Sequence, residues 1–309
     1  MKNIIFDAHQ DILIHERDKD KKITQTGFGE LVKSSIKMVV ASVFLEPEKI
    51  AGLNSRGRIK FAESQIKDYL KIIKKNKNLM LIKNKNDLMK LMQTDATGIL
   101  IHIEGLDFIN ERNVNVIDYF YDLGLRSAGL VWGEDNNIGG YSGSNKGLTN
   151  FGKKLVQNLN DKKIIIDLAH TNKKTFYDVM AISLKPVMVS HGNCYKLCKD
   201  GRNFKQRQLR LLAQKKGVQG IFFSGKYVSK KKNILIQDVV EHFYESYKIS
   251  PELTILGTDF GGISSGFAQG LNNINQLPQL IKIVERQLGK EAVKKISYSN
   301  FFNFLEKSI

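Results

Sequence analysis

Apolar runs of strand length recur along this chain at intervals too long for hairpins. They cover residues 4–9, 38–44, 98–104, 127–132, 163–170, 186–191, 218–223 and 253–260. Between most of them apolar residues recur at helical spacing. In residues 59–75 the repeating set is Ile59, Ala62, Ile66, Leu70 and Ile73. Residues 114–123, 151–160, 174–181, 206–214, 236–247 and 277–288 read the same way. Nearly continuous hydrophobic strands alternating with amphipathic helices predict a parallel sheet covered on both faces. Eight such units in 309 residues predict an α/β fold, a (β/α)8 TIM-type barrel forming one domain over residues 1–309. An open doubly wound sheet is the alternative, but no Gly-x-Gly-x-x-Gly follows the first strand.

Polar residues break the pattern at one recurring place, the C-terminal strand ends. There the chain reads His9 with Asp11, then Glu104, Trp132, His170, His191 and Asp259. In a parallel barrel these ends surround one mouth. His9 and Asp11 are two apart, so an extended backbone points both to the same side. Carboxylates gathered without partners cost several kcal/mol each, about 3–5 for a broken buried pair. Divalent metal relieves that cost and uses neutral imidazole as ligand. The donor set exceeds the needs of one tetrahedral ion and suits two ions about 3.5–4 Å apart. Glu104, entering between the other ligands' strands, is placed to bridge them. Strand parity puts Leu100, His102 and Glu104 on the inner face and Ile99, Ile101 and Ile103 toward the helices. His102, one layer lower, is expected to be a hydrogen-bonded core histidine. His15 and His242, in a loop and a helix, are assigned no chemistry.

Composition narrows the partners. No apolar run reaches the length of a membrane span, and the N-terminus lacks the pattern of a signal peptide, so a cytoplasmic location without membrane contact is expected. The net charge of +17 invites a nucleic-acid reading. However, the lysines fall in short clusters along the whole chain, at helix ends and loops, with no helix-turn-helix or Arg-aromatic pattern. No nucleic acid is expected. Cys194 and Cys198, four apart and expected on one helix face, read as reduced, partly buried thiols. The glycine- and asparagine-rich residues 133–150 follow the fourth strand and are a candidate substrate loop.

Taken in order, these motifs resemble the membrane (renal) dipeptidases. Asp7-Ala8-His9-Gln10-Asp11 is similar to that family's opening Asp-Gly-His-x-Asp, and Glu104-Gly105 to its Glu-Gly. Gly124-Leu125-Arg126, Leu130-Val131-Trp132 with Asn136, and Gly147-Leu148-Thr149-Asn150-Phe151-Gly152 resemble further family segments. Ile166-Asp167-Leu168-Ala169-His170, Ser190-His191, Arg202-Asn203, Gly257-Thr258-Asp259-Phe260 and Ser299-Asn300-Phe301 complete the series. The resemblance implies a metallo-dependent-hydrolase barrel with two Zn2+ ions. His9 and Asp11 would hold one ion and His170 and His191 the other, with Glu104 between them. It further implies Arg202 as the binder of a small dipeptide's carboxylate, with Trp132, Asn136 and Asn203 near the substrate, and Asp259 as general acid/base. Glu104 and Asp259 would be the catalytic carboxylates, and a metal-bridging hydroxide the nucleophile.

Two positions depart from the family. Trp132 stands where animal members carry a substrate-binding histidine, and Gly261 replaces an acidic residue. The rivals are a related metal-dependent amidohydrolase acting on N-acyl amino acids or other small amides, and a dipeptide-binding relative without catalysis. The preferred dipeptide is left open, as is a homodimer.

Overall fold

The computed structural model describes residues 4–17, 25–264 and 266–309. Among the described residues nine strands form one parallel sheet: β1 (Ile5–Gln10), β2 (Ile36–Phe44), β3 (Leu79–Leu81), β4 (Thr97–Glu104), β5 (Leu125–Gly129), β6 (Ile165–Asp167), β7 (Met188–Val189), β8 (Val218–Ile221) and β9 (Thr254–Leu256). Pairing of β2 with β4, Met38 opposite Gly98 through Phe44 opposite Glu104, closes the sheet. The ring therefore runs β1, β2, β4, β5, β6, β7, β8, β9, an eight-stranded (β/α) barrel. All eight expected strands are present. The additional β3 pairs with Thr97–Ile99 at the base of β4, outside the ring. Its three residues are too short a run to carry a periodic signal.

Two of the expected helices, Gln206–Gln214 and Leu277–Leu288, have the anticipated bounds. The helix expected from residue 59 starts earlier, as Ser55–Lys75, because the Asn54 side chain accepts from Gly57 N and caps it there. The same device starts Asn150–Asp161 at Thr149 and Lys173–Ile182 at Asn172. The helices Lys85–Leu91 and Asn300–Ser308 lay outside the sequence pattern. Ile12–Arg17 is helical too, so the backbone of His15 lies in a helix rather than a loop.

Two apolar clusters follow the strand parity. Ile99, Ile101 and Ile103 pack outward with helix residues such as Ile66, Phe120 and Leu155. Leu100 packs inward with Phe6, Met38, Met188 and Ile255, and Phe301, Phe304 and Leu305 of the last helix plug the barrel floor. The floor is thus apolar and closed, and the polar strand ends face the other way. Among the described residues no helix is long and apolar enough to cross a membrane.

Cys194 and Cys198 do not share a helix face. They lie in the loop between β7 and the helix Gln206–Gln214, both buried and unbridged, and burial pushes the Cys194 thiol up to about 12. His242, on the helix Ile236–Ile249, holds this loop. Its Nδ1 accepts from Cys194 N at 3.1 Å and its Nε2 donates to Val228 O at 2.9 Å. Both ring nitrogens are used by the neutral form, and burial lowers the His242 pKa to about 4. The unfolded chain protonates this imidazole near pH 6.5. Between those values the unfolded state binds the extra proton, so His242 favours folding above pH 6.5 and that advantage is lost as pH falls toward 4. The loss amounts to about 3 kcal/mol at 1.36 kcal/mol per pH unit. Urea denaturation of His242→Gln against wild type is expected to show a shallower fall of stability across this window. Parallel curves would contradict the assignment.

Candidate active site

The C-terminal strand ends converge as a cluster of imidazoles and carboxylates. His9 Nε2 lies 3.5 Å from Asp11 Oδ2, 3.7 Å from Glu104 Oε1 and 3.9 Å from Asp259 Oδ1. His170 Nε2 lies 2.8 Å from the same Glu104 Oε1, and His191 Nε2 lies 3.5 Å from it. Two sets of potential metal ligands result, His9 with Asp11 and Glu104, and Glu104 with His170 and His191. They share one residue, Glu104. A third set joins His9, His191 and Asp259, and a fourth, deeper one joins His9, His102 and Asp167.

The donor chemistry fits cations. Both ring nitrogens of His9 and Asp11 Oδ1 are buried without a hydrogen-bond partner among the described residues. His170 Nε2 and His191 Nε2 face each other at 3.0 Å, an arrangement that a cation between them stabilises. Burial, reinforced by Arg202, lowers the His170 pKa to about 4. Burial, reinforced by His9, holds His191 well below the ordinary imidazole value. Both rings are therefore neutral and able to ligate. For Glu104, burial is outweighed by His9 and His170, which hold its carboxyl well below the usual range. For His9, burial is outweighed by Glu104 and Asp11, which raise its pKa. The two carboxylates thus demand positive charge at this point, as a proton or as a metal. Asp259 differs: burial pushes its carboxyl well above the usual range, and Asp11 and Glu104 push it further.

The backbone is bent to aim these groups. His170 (φ 66°) and Asp259 (φ 63°) occupy the left-handed region, which costs a non-glycine residue about 1–3 kcal/mol and is found at functional sites. A second layer fixes tautomers. Asp167 Oδ2 accepts from Ser190 Oγ at 2.5 Å, and Ser190 Oγ lies 2.8 Å from His191 Nδ1. Because Asp167 only accepts, the serine hydroxyl donates to it and accepts from His191 Nδ1–H. The Nε2 lone pair is left facing the mouth. Asp7 accepts from Gln10 Nε2, Thr258 N and Thr258 Oγ1 and so ties the ends of β1 and β9 together. His102 Nδ1 pairs with Ser127 Oγ at 3.0 Å in the buried layer below, as a core histidine would.

Over this cluster opens a cavity of about 510 Å³. Trp132 lines it and packs edge-on against Phe44, centroids 4.8 Å apart. Arg202 lines it from the loop after β7. Its Nη2 reaches His170 Nε2 at 3.0 Å, while Nη1 is buried without a partner among the described residues and available to an anion. Asn136 and Asn203 are not among the lining residues. Asn136 Nδ2 donates to Asp107 Oδ1 and Leu130 O and organises the loop after β5. Asn203 Nδ2 donates to Cys198 O and Tyr227 O and anchors the loop that carries its neighbour Arg202. Gly261 has a structural reason. Its φ is 94°, and a Cβ there would sit 2.3 Å from Asp11 O, so an acidic side chain does not fit this backbone. Glu46, Glu48, Lys226 and Tyr227 also line the mouth. They lie beyond the strands, Glu46 and Glu48 at the one-turn helix Pro47–Ile50 and Lys226 and Tyr227 in Gly225–Val228, elements too short for a periodicity to mark them.

Residues 1–308 match the membrane dipeptidase family, peptidase family M19. The chain belongs to that family. Dipeptidase tcpJ of Claviceps purpurea is 28% identical over 229 residues, covering 72% of this chain and 53% of that protein. The chain thus spans about half the length of this curated relative. Among solved structures, a dipeptidase described as an M19 metallo peptidase superposes with a TM-score of 0.90 at 20% identity, covering 100% of this chain and 99% of its own. A metallo peptidase from Rhodobacter sphaeroides, liganded with a phosphinate mimic of the dipeptide L-Ala-D-Ala, superposes at 0.89 with 19% identity over the full length of both chains. At such identities these likenesses speak for the shared barrel.

Proposed function

We propose that this chain is a zinc-dependent dipeptidase whose catalytic domain is the barrel of residues 1–309. The observation that carries this reading is the pair of ligand sets meeting at Glu104. In it, His9 and Asp11 would hold one zinc ion and His170 and His191 the other, with Glu104 common to both ligand sets. When bound, the two ions supply a water of lowered pKa and positive charge for the developing oxyanion.

The remaining steps belong to the chain's own groups. Arg202 presents its free Nη1 to the C-terminal carboxylate of the substrate, a charge-assisted contact. Anchoring that carboxylate limits the substrate to short peptides. Asp259 takes a proton from the attacking water and passes it to the leaving amine nitrogen, a task suited to a carboxyl whose pKa burial has raised. Trp132, in contact with His170 at 5.9 Å between centroids, shields the reacting centre from bulk water. The phosphinate dipeptide mimic held by the Rhodobacter sphaeroides protein supports this choice of substrate class.

A panel of dipeptides and N-acyl amino acids incubated with the zinc-loaded protein tests the proposal. Release of free amino acids from dipeptides, with N-acyl amino acids left intact, is expected. Turnover confined to the N-acyl compounds, or none at all, would contradict it.

A further inference from the structure

The charges around the mouth are sorted by side. Arg202 lines it from the loop after β7 and Lys226 from the short helix Gly225–Val228 after β8. Glu46 and Glu48 line it from the segment after β2, at the start of the short helix Pro47–Ile50. In the closed ring, β7 lies four places from β2 in either direction, so the Arg202 loop and the glutamate loop face each other across the mouth. On the cationic side, Arg202 and Lys226 flank one ring: Arg202 Cζ is 5.8 Å and Lys226 Nζ 5.1 Å from the Tyr227 centroid. Arg202 is buried, whereas Lys226 is exposed and forms no ion pair among the described residues. On the other side, Glu46 is neutralised by Lys49 at 2.8 Å, and among the described residues Glu48 has no ion-pair partner.

A dipeptide has one C-terminal carboxylate, and Arg202 alone satisfies it. A second, unpaired cation beside Arg202 has a role when the C-terminal residue carries a second carboxylate on its side chain. On the opposite rim, Glu48 repels an acidic first residue and tolerates a free ammonium. We infer that the mouth selects dipeptides whose C-terminal residue is acidic, with Lys226 as the residue that recognises the side-chain carboxylate. This rests on the dipeptidase reading and names the substrate class within it.

The isomers Ala-Glu and Glu-Ala have the same composition and net charge, and Ala-Gln has nearly the shape of Ala-Glu without its side-chain charge. The zinc-loaded wild type is expected to show a higher kcat/KM for Ala-Glu than for Ala-Gln or Glu-Ala. Lys226→Gln should lower the Ala-Glu to Ala-Gln ratio by about fivefold, the scale of one exposed ion pair, and mainly through KM. Lys226→Glu should invert the preference. Equal rates for the three peptides in wild type, or a ratio unchanged in both variants, would overturn the inference and leave the dipeptidase reading standing. No hydrolysis of any of the three would overturn both.

Discussion

Glu104→Ala is expected to abolish dipeptide hydrolysis and to strip the protein of metal. Glu104 Oε1 lies within 3.7 Å of the Nε2 atoms of His9, His170 and His191, so one truncation removes a ligand from both sets. It also removes the carboxylate that draws positive charge to His9. Loss of a single electrostatic contact in an active site costs about 10²–10³ in rate. A residue common to two ion sites should cost at least the upper figure. Metal analysis separates this from misfolding: the variant is expected to fold, since Leu100, Ile101 and Ile103 of the same strand keep their apolar contacts. A folded variant that retains its metal and its rate would remove Glu104 from the centre of the mechanism.

Asp259→Asn is expected to lower kcat about 10²–10⁴-fold, the range for loss of a positioned acid/base, with metal content unchanged and KM little affected. Asparagine keeps the volume of aspartate and tolerates the left-handed backbone that Asp259 adopts at φ 63°. The change therefore removes the titrating group and little else. The alternative role has a distinct signature. Asp259 also belongs to a potential ligand set with His9 and His191. A fall in bound metal on Asp259→Asn would make it a ligand, and an unchanged rate would exclude it as the proton carrier.

What could be seen in advance followed from how each residue is encoded. The strands show because their apolar runs are nearly continuous, and the strand-end residues show because each ends such a run. His9, Glu104, His170 and His191 are legible on that basis, and the structure brings them together around Glu104 Oε1. Other features have no linear trace. β3 is three residues long, and the helix Asn300–Ser308 acts through Phe301, Phe304 and Leu305 as a plug, which only the closed barrel defines. Cys194 and Cys198 have helical spacing but lie in a loop fixed by His242. Asn136 and Asn203 sit in recognisable motifs, yet their amides are committed to loop carbonyls and the Asp107 carboxylate. Lys226 and Glu48 are two charges among many in a chain of net charge +17, and only the ring order sets them across one mouth. Gly261 reads as a lost carboxylate in the sequence and as a required left-handed glycine in the structure.

Two metal ions meeting at Glu104 are proposed to make this barrel a dipeptidase. Metal content and dipeptide hydrolysis measured on the same sample, before chelation, after it and after zinc is restored, test it most directly. The expected result is about two zinc ions per chain, no hydrolysis in the chelated protein, and recovery that tracks occupancy to two, as for a two-metal site. Full hydrolysis by the metal-free protein would contradict it.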